Sequence, residues 1–152
     1  MSQSDDRERI VARRARIEEI RELAEEYRRE QAAIAEDGRP SDVPLPQGGI
    51  YWLARDVAGE EVGYAAGTMR PIGCQIGPVF TRSHARRRGV GEALLTAIQT
   101  WAETTRVPVV EISVAADNHD GQAFLESLGY VPRRVLMSLT PGEAATRSSS
   151  DW

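Results

Sequence analysis

Residues 86–95 read Arg-Arg-Arg-Gly-Val-Gly-Glu-Ala-Leu-Leu, a basic, glycine-punctuated turn that runs straight into an amphipathic helix. Gly89 and Gly91 lack a Cβ, so the backbone there can curl and let a bulky anion approach closely. The helix that follows points its unpaired first-turn N–H groups, and the positive end of its dipole, at the same spot. Together these features describe a cradle for a phosphate or pyrophosphate. The fold has to deliver that cradle, and the rest of the chain has to say which phosphate it serves.

The 152 residues suit one compact domain with a substantial core. All 19 basic residues are arginine, which excludes a lysine Schiff base and a lysine-bearing phosphate loop. The formal net charge of -4 speaks against general nucleic-acid affinity. A single cysteine, Cys74, excludes an internal disulfide framework and a cysteine-rich metal site. His84 and His119 lack metal-like spacing, so no metal is expected. No apolar run reaches the roughly 18 residues that span a bilayer, and no signal segment is legible at the N-terminus. A cytoplasmic protein without a membrane partner is the expectation.

Residues 1–8 read as a flexible N-terminus, 9–139 as a single domain and 140–152 as a flexible tail. Arg9–Ala15 can form a first strand. From Ile17, apolar residues recur at helical spacing (Ile17, Ile20, Leu23, Ala24, Tyr27, Ile34), which predicts a helix to about Ala35. Its many glutamates form either a solvated face or a docking surface for a basic substrate. Asp37–Gly49 is rich in proline and glycine and reads as a loop. Strands follow at Ile50–Asp56, Glu61–Met69 and Gly73–Thr81, with Gly77-Pro78 predicting a bulge or splay in the third. Gly89–Thr105 is a helix and Val107–Val114 a strand. Asn118–Leu128 is a short helix stopped by Gly129, and Val135–Leu139 a last strand. The helical crossover after Gly73–Thr81 makes that strand parallel to Val107–Val114. The fold class is α/β (α+β): a mixed central sheet of about six strands with helices on both faces.

Three phosphate-binding readings compete. Gly89-Val90-Gly91 with Glu111 about twenty residues later partly matches a dinucleotide fingerprint. However, Leu94 stands at the third glycine position, and an antiparallel meander precedes the turn. Nucleic-acid binding through Arg86, Arg87 and Arg88 lacks an aromatic platform. The third reading is specific. Arg86-Arg87-Arg88-Gly89-Val90-Gly91 at a helix start, Asn118 after a strand, and Ala123-Phe124-Leu125-Glu126-Ser127-Leu128-Gly129-Tyr130 stand in the order and spacing of the GNAT superfamily of acyl-CoA-dependent N-acetyltransferases. Arg14-Ala15-Arg16-Ile17-Glu18-Glu19 is similar to the family's first strand-to-helix passage. The resemblance spans about Arg9 to Leu139.

This resemblance implies an acetyl-CoA cosubstrate whose pyrophosphate rests on the turn of Arg86, Arg87, Arg88, Gly89, Val90, Gly91 and Glu92. It implies that the pantetheine arm pairs with Val79, Phe80 and Thr81. Asn118 corresponds to a residue that often contacts the cofactor, and it equally suits an N-cap for its helix. The implied reaction is direct attack of a primary amine, on a small molecule or a peptide, upon the thioester. Two positions depart from the family. Leu125 stands where a tyrosine acid is usual, and Ser113 stands where some branches carry a glutamate base. Glu111 lies two residues before Ser113, on the same strand face. It is either a base whose pKa desolvation would raise or a salt-bridge partner. The leaving thiolate would take its proton from water, Tyr130, Tyr64, Ser113 or Cys74. A non-catalytic acyl-CoA-binding sensor is the rival reading. One strand after Tyr130, where many relatives have two, leaves a sheet edge that a homodimer would cover.

Overall fold

The computed structural model describes residues 9–34, 45 and 47–142. The expected N-terminal segment 1–8, most of the loop 37–49 and nearly all of the tail 140–152 lie outside them. The chain divides into two compact units, residues 1–113 and 114–152.

The first unit holds five strands in the order β1 (Val11–Ala15), β2 (Ile50–Arg55), β3 (Glu61–Arg70), β4 (Gly73–Thr81) and β5 (Val110–Ile112). The first three pairings are antiparallel and β4–β5 is parallel, as the crossover requires. The crossover contains α2 (Val90–Thr104), while α1 (Ile17–Ile34) links β1 to β2. Helix α1 begins where predicted: Arg16 precedes it, and the Arg16 N–H donates to Glu19 Oε2 at 2.8 Å, half of a capping box.

Strand periodicity sends alternate side chains to two layers. Tyr51, Leu53, Tyr64, Ala66 and Phe80 pack with Ile20, Leu23 and Ala24 of α1. Trp52 takes the opposite face, where its ring meets Trp101 of α2 edge-on at 5.3 Å. Leu94 and Ile98 of α2 are fully buried. Each such side chain contributes roughly 1.5–3 kcal/mol on leaving water. Arg14 of β1 lies over both indoles, 5.7 and 5.8 Å from their centroids, and closes this layer at the sheet edge.

Two expected strands are corrected. The predicted Val107–Val114 is cut to Val110–Ile112. Pro108 has no N–H to donate, and β4 stops offering a partner at Ile76, immediately before Gly77-Pro78. Val135–Leu139 is not a strand, so the described sheet has five strands rather than six. This segment has no ladder, and Val135, Leu136, Met137 and Leu139 are all exposed. Apolar composition favours a strand only where a neighbour accepts its backbone hydrogen bonds.

In the second unit α3 (His119–Ser127) is capped at both ends. The Asn118 side chain accepts from the Gly121 N–H at 3.0 Å. At the other end Gly129 adopts φ 97° and its N–H donates to the Glu126 carbonyl, the predicted glycine stop.

Candidate functional site

Strand β4 carries the irregularity expected from Gly77-Pro78. Gly67 pairs with Ile76 but Ala65 pairs with Val79, so β4 contains one extra residue, and the Gly77–Pro78 peptide is cis. The parallel ladder to β5 covers Cys74–Ile76 and goes no further. Beyond the bulge the Arg82 N–H donates to the Val62 carbonyl at 2.9 Å. Antiparallel alternation then turns the backbone groups of Phe80 towards β3 and those of Val79 and Thr81 towards the opposite edge. The Phe80 side chain belongs to the α1 layer of the core.

A single 3-10 turn, Ser83–Ala85, leads from β4 towards the glycines, with Ala85 fully buried as its anchor. Arg86 is extended, Arg87 adopts φ 65° and Gly89 adopts φ 86° and ψ 16°. Two left-handed residues in three positions curl the chain, and left-handed residues of this kind are a component of anion nests. The first helical bond of α2 runs from the Ala93 N–H to the Gly89 carbonyl. Val90, Gly91 and Glu92 therefore present N–H groups without intrahelical partners, and no side chain caps them. A Cβ placed on Gly89 would meet nothing within 4 Å, so there is room beside these donors. Glu92, in the first turn, is exposed and complements the helix dipole.

Two of the three arginines of the turn face carboxylates that the sequence did not assign to the site. Arg86 pairs with Glu30 of α1, and Arg88 lies 3.7 Å from Asp56 of the β2–β3 hairpin. Arg82 donates from Nε to Glu26 at 2.8 Å. Among the described residues Arg87, exposed, has no ion-pair partner. The i, i+4, i+8 spacing of Glu22, Glu26 and Glu30 was a visible signal, but nothing in it said which cations it would meet.

Glu111 pairs in register with Gln75, between Cys74↔Val110 and Ile76↔Ile112. Cys74 and Ile76 point to the Trp52 side of the sheet, so Glu111 lies on the α1 side. It is half-buried and already engaged within the chain. Ser113 falls one residue past β5 and is exposed. Other proton donors considered from sequence have different surroundings. Tyr64 is buried against Tyr27 and Phe80, and desolvation pushes its phenol well above the ordinary range, with the neighbouring Tyr27 adding to the effect. Burial likewise pushes the Cys74 thiol up, consistent with a core residue rather than a nucleophile. His84 Nε2 stands 3.0 Å from Glu60.

In the second unit Asn118 serves as the N-cap of α3, and its amide packs on Gly121. Leu125, where the resemblance implies the family's usual acid position, is buried. Among the described residues no helix is long and apolar enough to cross a membrane, and no group of three or more His, Cys, Asp or Glu side chains could hold a metal ion.

Comparison with known proteins agrees with this architecture. A possible acetyltransferase from Clostridium difficile 630 superposes with a TM-score of 0.65 at 19% identity, covering 86% of this chain and 96% of its own. AAC(6')-Iy, solved in complex with the bisubstrate analog CoA-S-monomethyl-acetylneamine, gives a TM-score of 0.62 at 18% identity over 87% of this chain and 98% of that one. An integron cassette protein from the mobile metagenome of V. cholerae gives 0.65 at 16% identity, with 91% and 98% covered. At these identities the likeness is one of fold. No curated protein matches the sequence. The model of the acetyltransferase (GNAT) family matches residues 15–130, from the end of β1 to the residue after the Gly129 stop, and the chain belongs to that family.

Proposed function

We propose that the protein transfers an acetyl group from acetyl-CoA to a primary amine of a small-molecule or peptide acceptor. The observation that carries this reading is the continuous path from the bulged β4 into an uncapped, left-handed turn at the start of α2. Such a path fits an elongated ligand with an amide-bearing arm and a pyrophosphate. Backbone N–H groups of residues 87–92 would hold the phosphates, and the outward edge of Val79 and Thr81 would pair with the arm. Asn118 joins the same proposal as a cofactor contact. The presence of a CoA-based analog in AAC(6')-Iy supports the donor but says nothing of this chain's acceptor.

Bound acetyl-CoA supplies an activated acyl carbon. The neutral acceptor amine forms the new C–N bond as the C–S bond breaks. Glu111, directly or through water, takes the proton that the ammonium must lose, and the nitrogen releases its second proton to solvent as the amide forms. Leu125 cannot donate a proton to the leaving thiolate, so solvent supplies it, or the exposed Ser113 just past β5.

Thiol release from acetyl-CoA, measured against a panel of amines, peptides and aminoglycosides, tests the proposal. Turnover with at least one amine, falling in Glu111→Gln, is the expected result. CoA binding without turnover on any acceptor would favour the non-catalytic sensor, and absence of CoA binding would remove both readings.

A further inference from the structure

Two rungs of opposite charge join α1 to the turn. Glu26 and Glu30 lie four residues apart, one above the other on the helix. Arg82 and Arg86, also four apart, flank Ser83–Ala85. Arg82 Nε donates to Glu26 Oε2 at 2.8 Å and Arg86 pairs with Glu30, both across 56 residues of sequence. Arg82 is the better enclosed, its side chain only 16% exposed, with Glu22 at 4.0 Å and Glu60 at 3.9 Å as further neighbours.

An arginine beside a phosphate cradle can grip the anion or hold the cradle in shape. The two duties compete for the same guanidinium. With Glu30 on Arg86 and Asp56 near Arg88, much of the turn's positive charge is answered before any ligand arrives. The turn also needs holding, because Arg87 is a non-glycine residue at φ 65°, a conformation that persists only where the surroundings impose it. Arg86 is its immediate neighbour.

We infer that Glu26 and Glu30 are positioning residues: through Arg82 and Arg86 they brace the turn in its amide-forward shape, so that cofactor affinity comes from backbone donors rather than from arginine charge. This rests on the acyl-CoA reading above and adds to it a role for the acidic face of α1. That face is then neither simply solvated nor wholly available to a basic substrate.

The two duties predict opposite signs for one isosteric change. If Arg86 grips phosphate, Glu30→Gln frees it and CoA binds more tightly. If Glu30 braces the turn, Glu30→Gln lowers the fraction of molecules with a competent turn, and for a partly exposed ion pair a fall to about a third weakens CoA about threefold. Calorimetric titration of CoA into the full chain, with steady-state kinetics on an active acceptor, decides between them. We expect Glu30→Gln and Arg86→Gln each to raise the Kd for CoA and the KM for acetyl-CoA by about that factor, with kcat kept at saturation. The double variant should be no weaker than either single one. Glu26→Gln should repeat the effect through Arg82. Unchanged or tighter CoA binding by Glu30→Gln, with wild type binding normally, overturns the brace alone. Failure of wild type to bind CoA overturns the functional reading on which it stands.

Discussion

Val90, the first residue of α2, rests on Gly63 of β3: a Cβ at Gly63 would lie 2.6 Å from Val90 Cγ1 and 2.6 Å from the Phe80 carbonyl oxygen. The absence of a side chain in the middle of a strand thus sets how closely the start of the helix approaches the sheet. Because the uncapped N–H groups begin at Val90, the same contact sets where the candidate phosphate cradle stands.

Gly63→Ala is therefore expected to lift the start of α2. Overpacking at a fully buried contact costs about 1–3 kcal/mol. Denaturant unfolding should show that loss, and CoA affinity should fall with it, because the displaced atoms belong to the helix terminus. The contrasting variant is Leu94→Ala, one turn further along. Its cavity should cost about 2–5 kcal/mol while the cradle keeps its place and CoA affinity changes little.

Gly89→Asp places a carboxylate in the cradle and a Cβ at φ 86°. The left-handed conformation alone costs roughly 1–2 kcal/mol for a residue with a side chain. Like charge against a pyrophosphate adds to it. CoA binding should disappear in calorimetry while the far-UV spectrum is retained. Persistent affinity would show that the anion sits elsewhere.

Asn118 separates a cap from a ligand contact by chemistry. Asn118→Asp keeps an oxygen acceptor for the Gly121 N–H, so α3 should stay capped. Asn118→Ala removes it, at about 0.5–2 kcal/mol. If the amide also serves the cofactor, both variants weaken CoA binding but only the alanine lowers stability. Equal CoA affinity in the wild type and Asn118→Asp would leave the residue as a cap alone.

The β1–α1 junction carries a pH signature. The Arg13 guanidinium beside Glu19, joined by the Arg16 N–H, holds the Glu19 carboxyl down at about 2. A depressed folded-state pKa stabilises above the unfolded value and is lost as pH falls through the folded one. The stability difference between wild type and Glu19→Gln should thus be full at neutral pH and shrink between about pH 4.5 and pH 2. A gap that stays constant across that window would contradict the assignment.

The features legible in the sequence are those governed by local rules. The periodicity of Ile17–Ile34 and of Val90–Thr104, the Gly129 stop, the Gly77-Pro78 bulge and the parallel crossover all stand as the residues suggest, because propensity, steric restriction and chain connectivity act over a few positions. Val135–Leu139 reads as well as any strand by composition, yet it has no ladder. A strand is half of an interaction, and its other half is not encoded nearby. For the same reason β5 shrinks to three residues: its length is dictated by where β4 bulges.

The glycine-rich turn, the helix behind it and the chemical type of ligand they suit follow from residues 86–95 taken alone. What tertiary structure decided is how that turn is held. Arg86 and Arg88 look from the sequence like cations offered to a phosphate, but in the fold they face Glu30 and Asp56. Gly63, anonymous in its strand, becomes the seat of Val90. Local geometry is set by forces that decay within a turn of helix. Charge compensation and close packing depend on which distant residues the sheet brings together.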